Sequence, residues 1–423
     1  MSPATMDHRT AVWGAVASSV AAILLSTFLH SSFAIPSLYS DIASFWGRGW
    51  VAAGRVPYSS PGTFLEYPPM SGLFLYAARV LGGEFAGAAG GLYAGYYDSF
   101  SALSLVAAAV MGWSTWRLAK ALGVQLNPVY FFLPSMIIYG VYNFDLFDAL
   151  FVVLCLQFFV EKRPGWSALF LGLAIATKGI AVVLLPVLLL ELAGGRAKGK
   201  YLAVSLAVAG ATLVPIAIFN FGFFGQFVSF FANWGLEDAW YIWIFGNPFS
   251  HAAKFFGYAV MGLLLLRVYT LKMPLVPRSF LALTAYLLGT YIYAPQFNVT
   301  LIPLLAVLVV STPALYFFDV FNALIIITWF TVPATPTGGP TYAWTLPQAM
   351  ALLRSGCLAL LGLSVAGGTG HSLVKWLASA LGRGGPPWTS RRPPTRQSRP
   401  HLYWISRTRE PARTGYAGRT QTT

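Results

Sequence analysis

Apolar stretches of about 15 to 20 residues recur from Ala11 to Val365, separated by short polar or Pro/Gly-bearing segments. At 1.5 Å rise per residue, a helix of that length crosses a bilayer core about 30 Å thick. The pattern predicts spans near residues 11–33, 97–116, 128–142, 147–160, 165–177, 179–193, 201–219, 249–268, 279–294, 298–312, 314–330 and 346–365. The predicted fold class is therefore all-α: a polytopic membrane protein of about twelve transmembrane helices. Ala11 to Ala34 reads as a retained first helix, because no Ala-x-Ala cleavage site closes it.

Residues 35–96 break the rhythm and form the first outer loop. Within it, residues 41–54 set Ile42, Phe45, Trp46 and Ala53 on one helical face and Asp41, Ser44 and Arg48 on another. That is the pattern of a short interfacial helix. The apolar segment Met70 to Leu81 is too short to span and is expected to lie along or dip into the outer leaflet.

Composition agrees with the pattern. The 423 residues are 57% hydrophobic and 9% charged, against roughly 25% charged in soluble domains. The net charge of +14 does not point to nucleic acid, because ten Lys/Arg and a single acid, Glu410, lie from Gly367 onward. Residues 1–366 are thus expected to form the membrane domain. Residues 367–423, rich in Pro, Gly, Ser and Thr, are expected to be a disordered cytoplasmic tail held near anionic membrane lipids.

With both termini inside, eleven basic residues outside the tail fall in inner segments, against six elsewhere: Arg48, Arg55, Arg79, Lys178, Lys254 and Arg354. The positive-inside rule supports that orientation. Asp41, Glu66, Glu84, Asp98, Asp145, Asp148, Glu237 and Asp238 instead gather on the outer side. Acids contribute little to orientation, so their clustering needs another cause.

Asp41, just beyond the first span, fits either a helix N-cap or a general base within reach of a substrate hydroxyl. Lys178 interrupts an apolar run from Ala168 to Leu190. A charge at mid-bilayer costs at least about 2.5 kcal/mol and marks a functional position by default; the alternative is a lysine snorkelling at a turn beside Gly179. Glu66 is either a solvated loop acid or a group orienting substrate or Asp41. Residues 221–248, dense in Trp and Tyr and carrying Glu237 and Asp238, read as an interfacial aromatic belt or as a lid that stacks on sugar. Gln296 and Asn298 turn between two spans on the same side and can donate hydrogen bonds. Asn298-Val299-Thr300 is a glycosylation sequon expected to go unused so near the membrane. His30 and His251 lack a spaced ligand cluster, and Cys155 and Cys357 sit in apolar runs. No metal, cofactor or disulfide is predicted.

The strings YSDIASFW, GRVPY and FLEYPP between Tyr39 and Pro69 resemble the GT-C superfamily of membrane glycosyltransferases. The similarity is closest to polyprenol-phosphate-mannose-dependent α-mannosyltransferases and extends to GPI mannosyltransferases. A second resemblance runs from Asn143 through YNFDLFDALFVVL to the Lys178 of AIATKGIAVVLLP. The first stretch implies that Asp41 is the catalytic base and the second matches Asp145 or Asp148, and Lys178, to the family's polar and basic positions; Glu66, Tyr67, Asn143, Asp145, Asp148, Lys178 and, by its place at the same side, Gln296 are expected to bind substrate. The implied substrates are a polyprenyl-phosphate hexose, expected to be mannose, and a lipid-linked or membrane-glycan acceptor, with inversion at the anomeric carbon. Lys178 would then hold the donor phosphate as a point charge. The competing expectations are a transporter or lipid-linked sugar flippase, and an assembly subunit without chemistry.

Overall fold

The computed structural model describes residues 8–31, 37–310, 312–335 and 338–367. The tail expected at 367–423 lies, Gly367 apart, outside the described residues. Among the described residues the chain is helical throughout, with isolated bridges Glu237 to Ile292 and Thr335 to Gly338 in place of strands.

Five helical segments are long and apolar enough to cross a membrane: Thr10–His30, Leu92–Leu122, Gly195–Phe219, His251–Thr270 and Leu346–Ala366. They expose apolar side chains, such as Leu206, Val214 and Ile218 on one helix and Phe255, Leu263 and Leu266 on another. Surfaces of that kind belong in hydrocarbon, and the protein is membrane-embedded. The Leu92–Leu122 helix, 31 residues and roughly 46 Å long, extends well beyond the expected 97–116. It stops where Gly123 turns left-handed at φ 67° and returns its N–H to Ala119 and Lys120.

Besides residues 179–193, which divide into the 3-10 turn Gly179–Val183 and the helix Leu184–Glu191, two expected spans are not continuous α-helices. Residues 128–142 divide into a 3-10 turn, Pro128–Phe132, and a short helix, Pro134–Tyr139. Residues 298–312 begin inside a 3-10 segment, Pro295–Leu301, that passes into Ile302–Leu308 and ends where Val309 turns left-handed. Both are buried, with Tyr130, Phe131, Met136, Leu301 and Leu304 sealed inside. The Asp145–Val160 helix is likewise buried at every position from Asp145 to Gln157. Apolarity on all sides marks a buried helix as readily as a lipid-facing one.

Small residues let the helices close up. Ser19 on the first helix donates to the Ala108 carbonyl at 3.0 Å, and a Cβ on Gly112 would lie 2.7 Å from Ala15 O. Gly82 and Gly95 meet backbone to backbone, where Pro69–Glu84 packs on Leu92–Leu122.

After the first long helix, the single helix expected over residues 41–54 is two, Asp41–Phe45 and Gly49–Ala52. Ile42 and Phe45 are buried as expected, but Ala53 is exposed at the turn that Gly54 completes at φ 66°. The segment expected at Met70 to Leu81 is a longer helix, Pro69–Glu84, packed on the bundle.

Candidate active site

A cavity of about 1080 Å³ opens beside the segment that follows the first helix. Asp41, Glu66, Tyr67, Lys178 and Gln296 line it, together with Arg48, Glu237, Asp238 and Lys254. The rest of its wall is mainly apolar and aromatic, including Phe227, Phe231, Phe255 and Tyr258.

Asp41 is placed by its neighbour. Ser40, not Asp41, caps the short helix: its Oγ accepts from Ala43 N at 3.5 Å and donates to the Tyr142 carbonyl at 3.2 Å. Ile42 N also donates to that carbonyl, at 3.2 Å. The N-cap reading of Asp41 therefore fails, and the carboxylate is free for other partners. Tethering to Tyr142 brings Asp41 beside Asn143, whose Nδ2 donates at 2.7 Å both to Asp41 Oδ2 and to the Tyr67 hydroxyl. Tyr67 in turn donates to the same Asp41 oxygen at 3.3 Å. The Asn143 amide cannot face the other way, because its Oδ1 accepts from Phe144 N at 2.6 Å. Asn143 itself is fully buried behind the cavity wall.

Asp41 faces the cavity rather than open water, and that desolvation pushes its pKa up to about 7. The Tyr39 hydroxyl and the Lys178 ammonium pull it back down, while Glu237 and Glu66 raise it. Burial drives the Tyr67 hydroxyl well above its ordinary value, so it remains a neutral donor.

Lys178 sits where the Pro164–Thr177 helix breaks into the 3-10 turn Gly179–Val183, with extended backbone at φ −144°. The snorkelling reading fails. The side chain is 5% exposed, and its Nζ lies 3.2 Å from Asp145 Oδ2. The ammonium also sits over the rings of Tyr67 at 4.5 Å and Phe297 at 4.9 Å. Asp145 backs Lys178 without lining the cavity. Asp148, one helical turn further into the core, accepts from Thr300 Oγ1 at 2.9 Å and also stays outside the cavity. Of Asp41, Asp145 and Asp148, then, Asp41 lines the cavity and the other two are buried behind it.

Glu66 is neither solvated nor in contact with Asp41; Arg48 clamps it through two 2.6 Å hydrogen bonds and lies over the Phe45 ring at 4.6 Å. Gln296 lines the cavity, whereas Asn298 is fully buried and accepts from the Tyr293 hydroxyl at 2.7 Å. With Thr300 tied to Asp148, the sequon is closed to glycosylation.

Of the aromatic segment 221–248, Trp234 lines the cavity, donating to Glu237 Oε2 at 2.8 Å. Trp240, Tyr241 and Trp243 pack into a separate small core instead. Desolvation raises both loop acids, with Asp238 at about 7. Asp238 takes a left-handed φ of 53° and accepts from Gln348 Nε2 at 3.0 Å. Arg354, which stood out in the sequence only as an outlier of the charge pattern, is fully buried. It holds the loop through the Asp238 and Tyr293 carbonyls at 2.8 and 2.9 Å.

His30 is a tie between the Leu38 and Ile138 carbonyls, and Cys155 packs against Ser167 and Tyr201. Among the described residues no three His, Cys, Asp or Glu side chains gather as a metal site. No family model, curated protein or solved structure matches the chain.

Proposed function

We propose that the protein is a membrane glycosyltransferase of the GT-C superfamily that moves a hexose, mannose by resemblance, from a polyprenyl-phosphate donor to a lipid-linked or membrane-glycan acceptor. The observation that carries this reading is the cavity carboxylate Asp41, oriented by Asn143 and Tyr67 within a chamber walled by apolar and aromatic side chains. A base with a pKa near 7 is well matched to proton abstraction at neutral pH. An apolar wall suits a substrate carried on an isoprenoid lipid.

In the reaction, the acceptor oxygen attacks the anomeric carbon and a new C–O bond forms. The bond from that carbon to the phosphate oxygen breaks, and its electron pair leaves on the phosphate. Asp41 takes the acceptor proton. Attack opposite the leaving group inverts the anomeric centre. Glu66, fixed by Arg48, and Gln296 are positioned to bind sugar hydroxyls. The reading carries the twelve-span topology with both termini cytoplasmic and the cavity on the outer face, the short and broken helices completing the five long ones.

The test is sugar transfer by purified protein supplied with polyprenyl-phosphate sugars and membrane lipids. Wild type transfers and Asp41→Asn, which keeps shape while removing basicity, does not. Equal rates would remove Asp41 from the mechanism. Movement of the lipid-linked sugar between leaflets, without transfer, would establish a flippase.

A further inference from the structure

Three cations line the cavity, and two already have carboxylate partners. Arg48 is held by Glu66 and Lys178 by Asp145. Lys254 is different. It is 9% exposed, and its Nζ donates to the Ala232 carbonyl at 2.9 Å and lies over the Tyr291 ring at 4.7 Å. No carboxylate pairs with it among the described residues. An ammonium has three donors, and one carbonyl uses one of them. A buried cation with so little compensation is costly unless an anion joins it.

Its surroundings say which kind of anion. Ser250 caps the His251–Thr270 helix, so His251 and Lys254, three residues apart, share a face, and both line the cavity. Phe255 and Tyr258 follow on that helix, and Val228 lies on the Gly222–Asn233 helix; all three line the cavity and are exposed. The cation thus stands where a polar chamber meets an apolar surface. An anionic head on a long apolar chain fits both parts.

We infer that Lys254, with His251 beside it, is the binding site for the phosphate of an isoprenoid-phosphate donor, its chain running along the Phe255 and Val228 surface. The inference rests on the transferase reading and stands as the alternative to Lys178 holding the phosphate. Lys178 shares Tyr67 with Asp41 and so stands on the base's side of the chamber. An inverting displacement needs its leaving-group cation away from the base. Lys254 contacts Ala232 and Tyr291 and, among the described residues, shares no hydrogen-bond or ring partner with Asp41.

The test is binding of a short isoprenyl monophosphate to the full-length protein in phosphatidylcholine nanodiscs, with the corresponding isoprenol and inorganic phosphate as comparison ligands. Wild type is expected to bind the isoprenyl phosphate more tightly than either. Lys254→Gln should lose about tenfold in that affinity while binding the isoprenol unchanged, and Lys254→Arg should retain it. Glutamine can still donate to the Ala232 carbonyl, so a lysine that served only to cap that helix would give no loss. Unchanged melting and tryptophan fluorescence establish that Lys254→Gln is folded. The double variant Lys178→Gln/Asp145→Asn, which discharges the rival pair, tests the alternative site and should lose less affinity than Lys254→Gln. If that variant loses affinity and Lys254→Gln does not, the site is overturned and the transferase reading stands. Equal displacement by phosphatidylglycerol would make it a general headgroup site and overturn the donor assignment. Wild type binding phosphate and alcohol alike would overturn both readings.

Discussion

Asn143 Nδ2 stands 2.7 Å from Asp41 Oδ2, although 102 positions separate the two residues. The amide favours the ionised carboxylate, which is the form a general base must have. Asp41→Asn is expected to lower the transfer rate by about 10²- to 10⁴-fold with little change in stability. Single-turnover transfer rates and a thermal melt measure the two effects separately.

The pH profile follows from the same pair. A base with a pKa of about 7 is protonated below that value, so transfer should fall as pH drops through about 7 and level off above it. Asn143→Ala removes a donor to the carboxylate and should move this limb to higher pH. A profile unchanged in the variant would mean that Asn143 does not position or tune Asp41.

Lys178 and Asp145 are both buried and compensate each other. Lys178→Met leaves an unpaired buried carboxylate and should cost about 3 to 5 kcal/mol. Adding Asp145→Asn should restore much of that loss. A double-mutant cycle on unfolding in detergent reads the coupling directly.

Gly82 lies against the Gly95 backbone, which cannot move aside for a side chain. Gly82→Ala should destabilise by about 1 to 3 kcal/mol. Gly87→Ala, with no atom near the added Cβ, should be close to neutral. Melting temperatures of the two variants make the comparison.

Arg354 is fully buried and supplies hydrogen bonds to Asn322, Asp238 and Tyr293. Arg354→Met should destabilise the protein by about 3 kcal/mol or more, by leaving those acceptors unserved. It should also loosen the loop that carries Glu237, seen as faster amide exchange over residues 234–241.

Membrane residence was legible in the chain, because the free energy of placing apolar surface depends on residue type and barely on partner. The same holds for Ile42 and Phe45 turning inward together. The sequence equally marked Tyr67 and Lys178, which the structure brings to one cavity with Asp41.

What the sequence left undecided was decided by contacts between distant segments. Residues 128–142 and 298–312 read as spans but are buried and broken, since hydropathy does not distinguish lipid from protein as an apolar neighbour. Asp145 and Asp148 looked equivalent, yet one pairs with Lys178 and the other with Thr300. Lys254 and Arg354 were exceptions in a count of charges until their surroundings gave Arg354 carbonyl partners and gave Lys254 a carbonyl and a ring but, among the described residues, no carboxylate. Hydrophobicity is a property of each residue and can be read along the chain. Whether a charge is compensated depends on what lies within a few ångströms, and only the folded chain sets that distance.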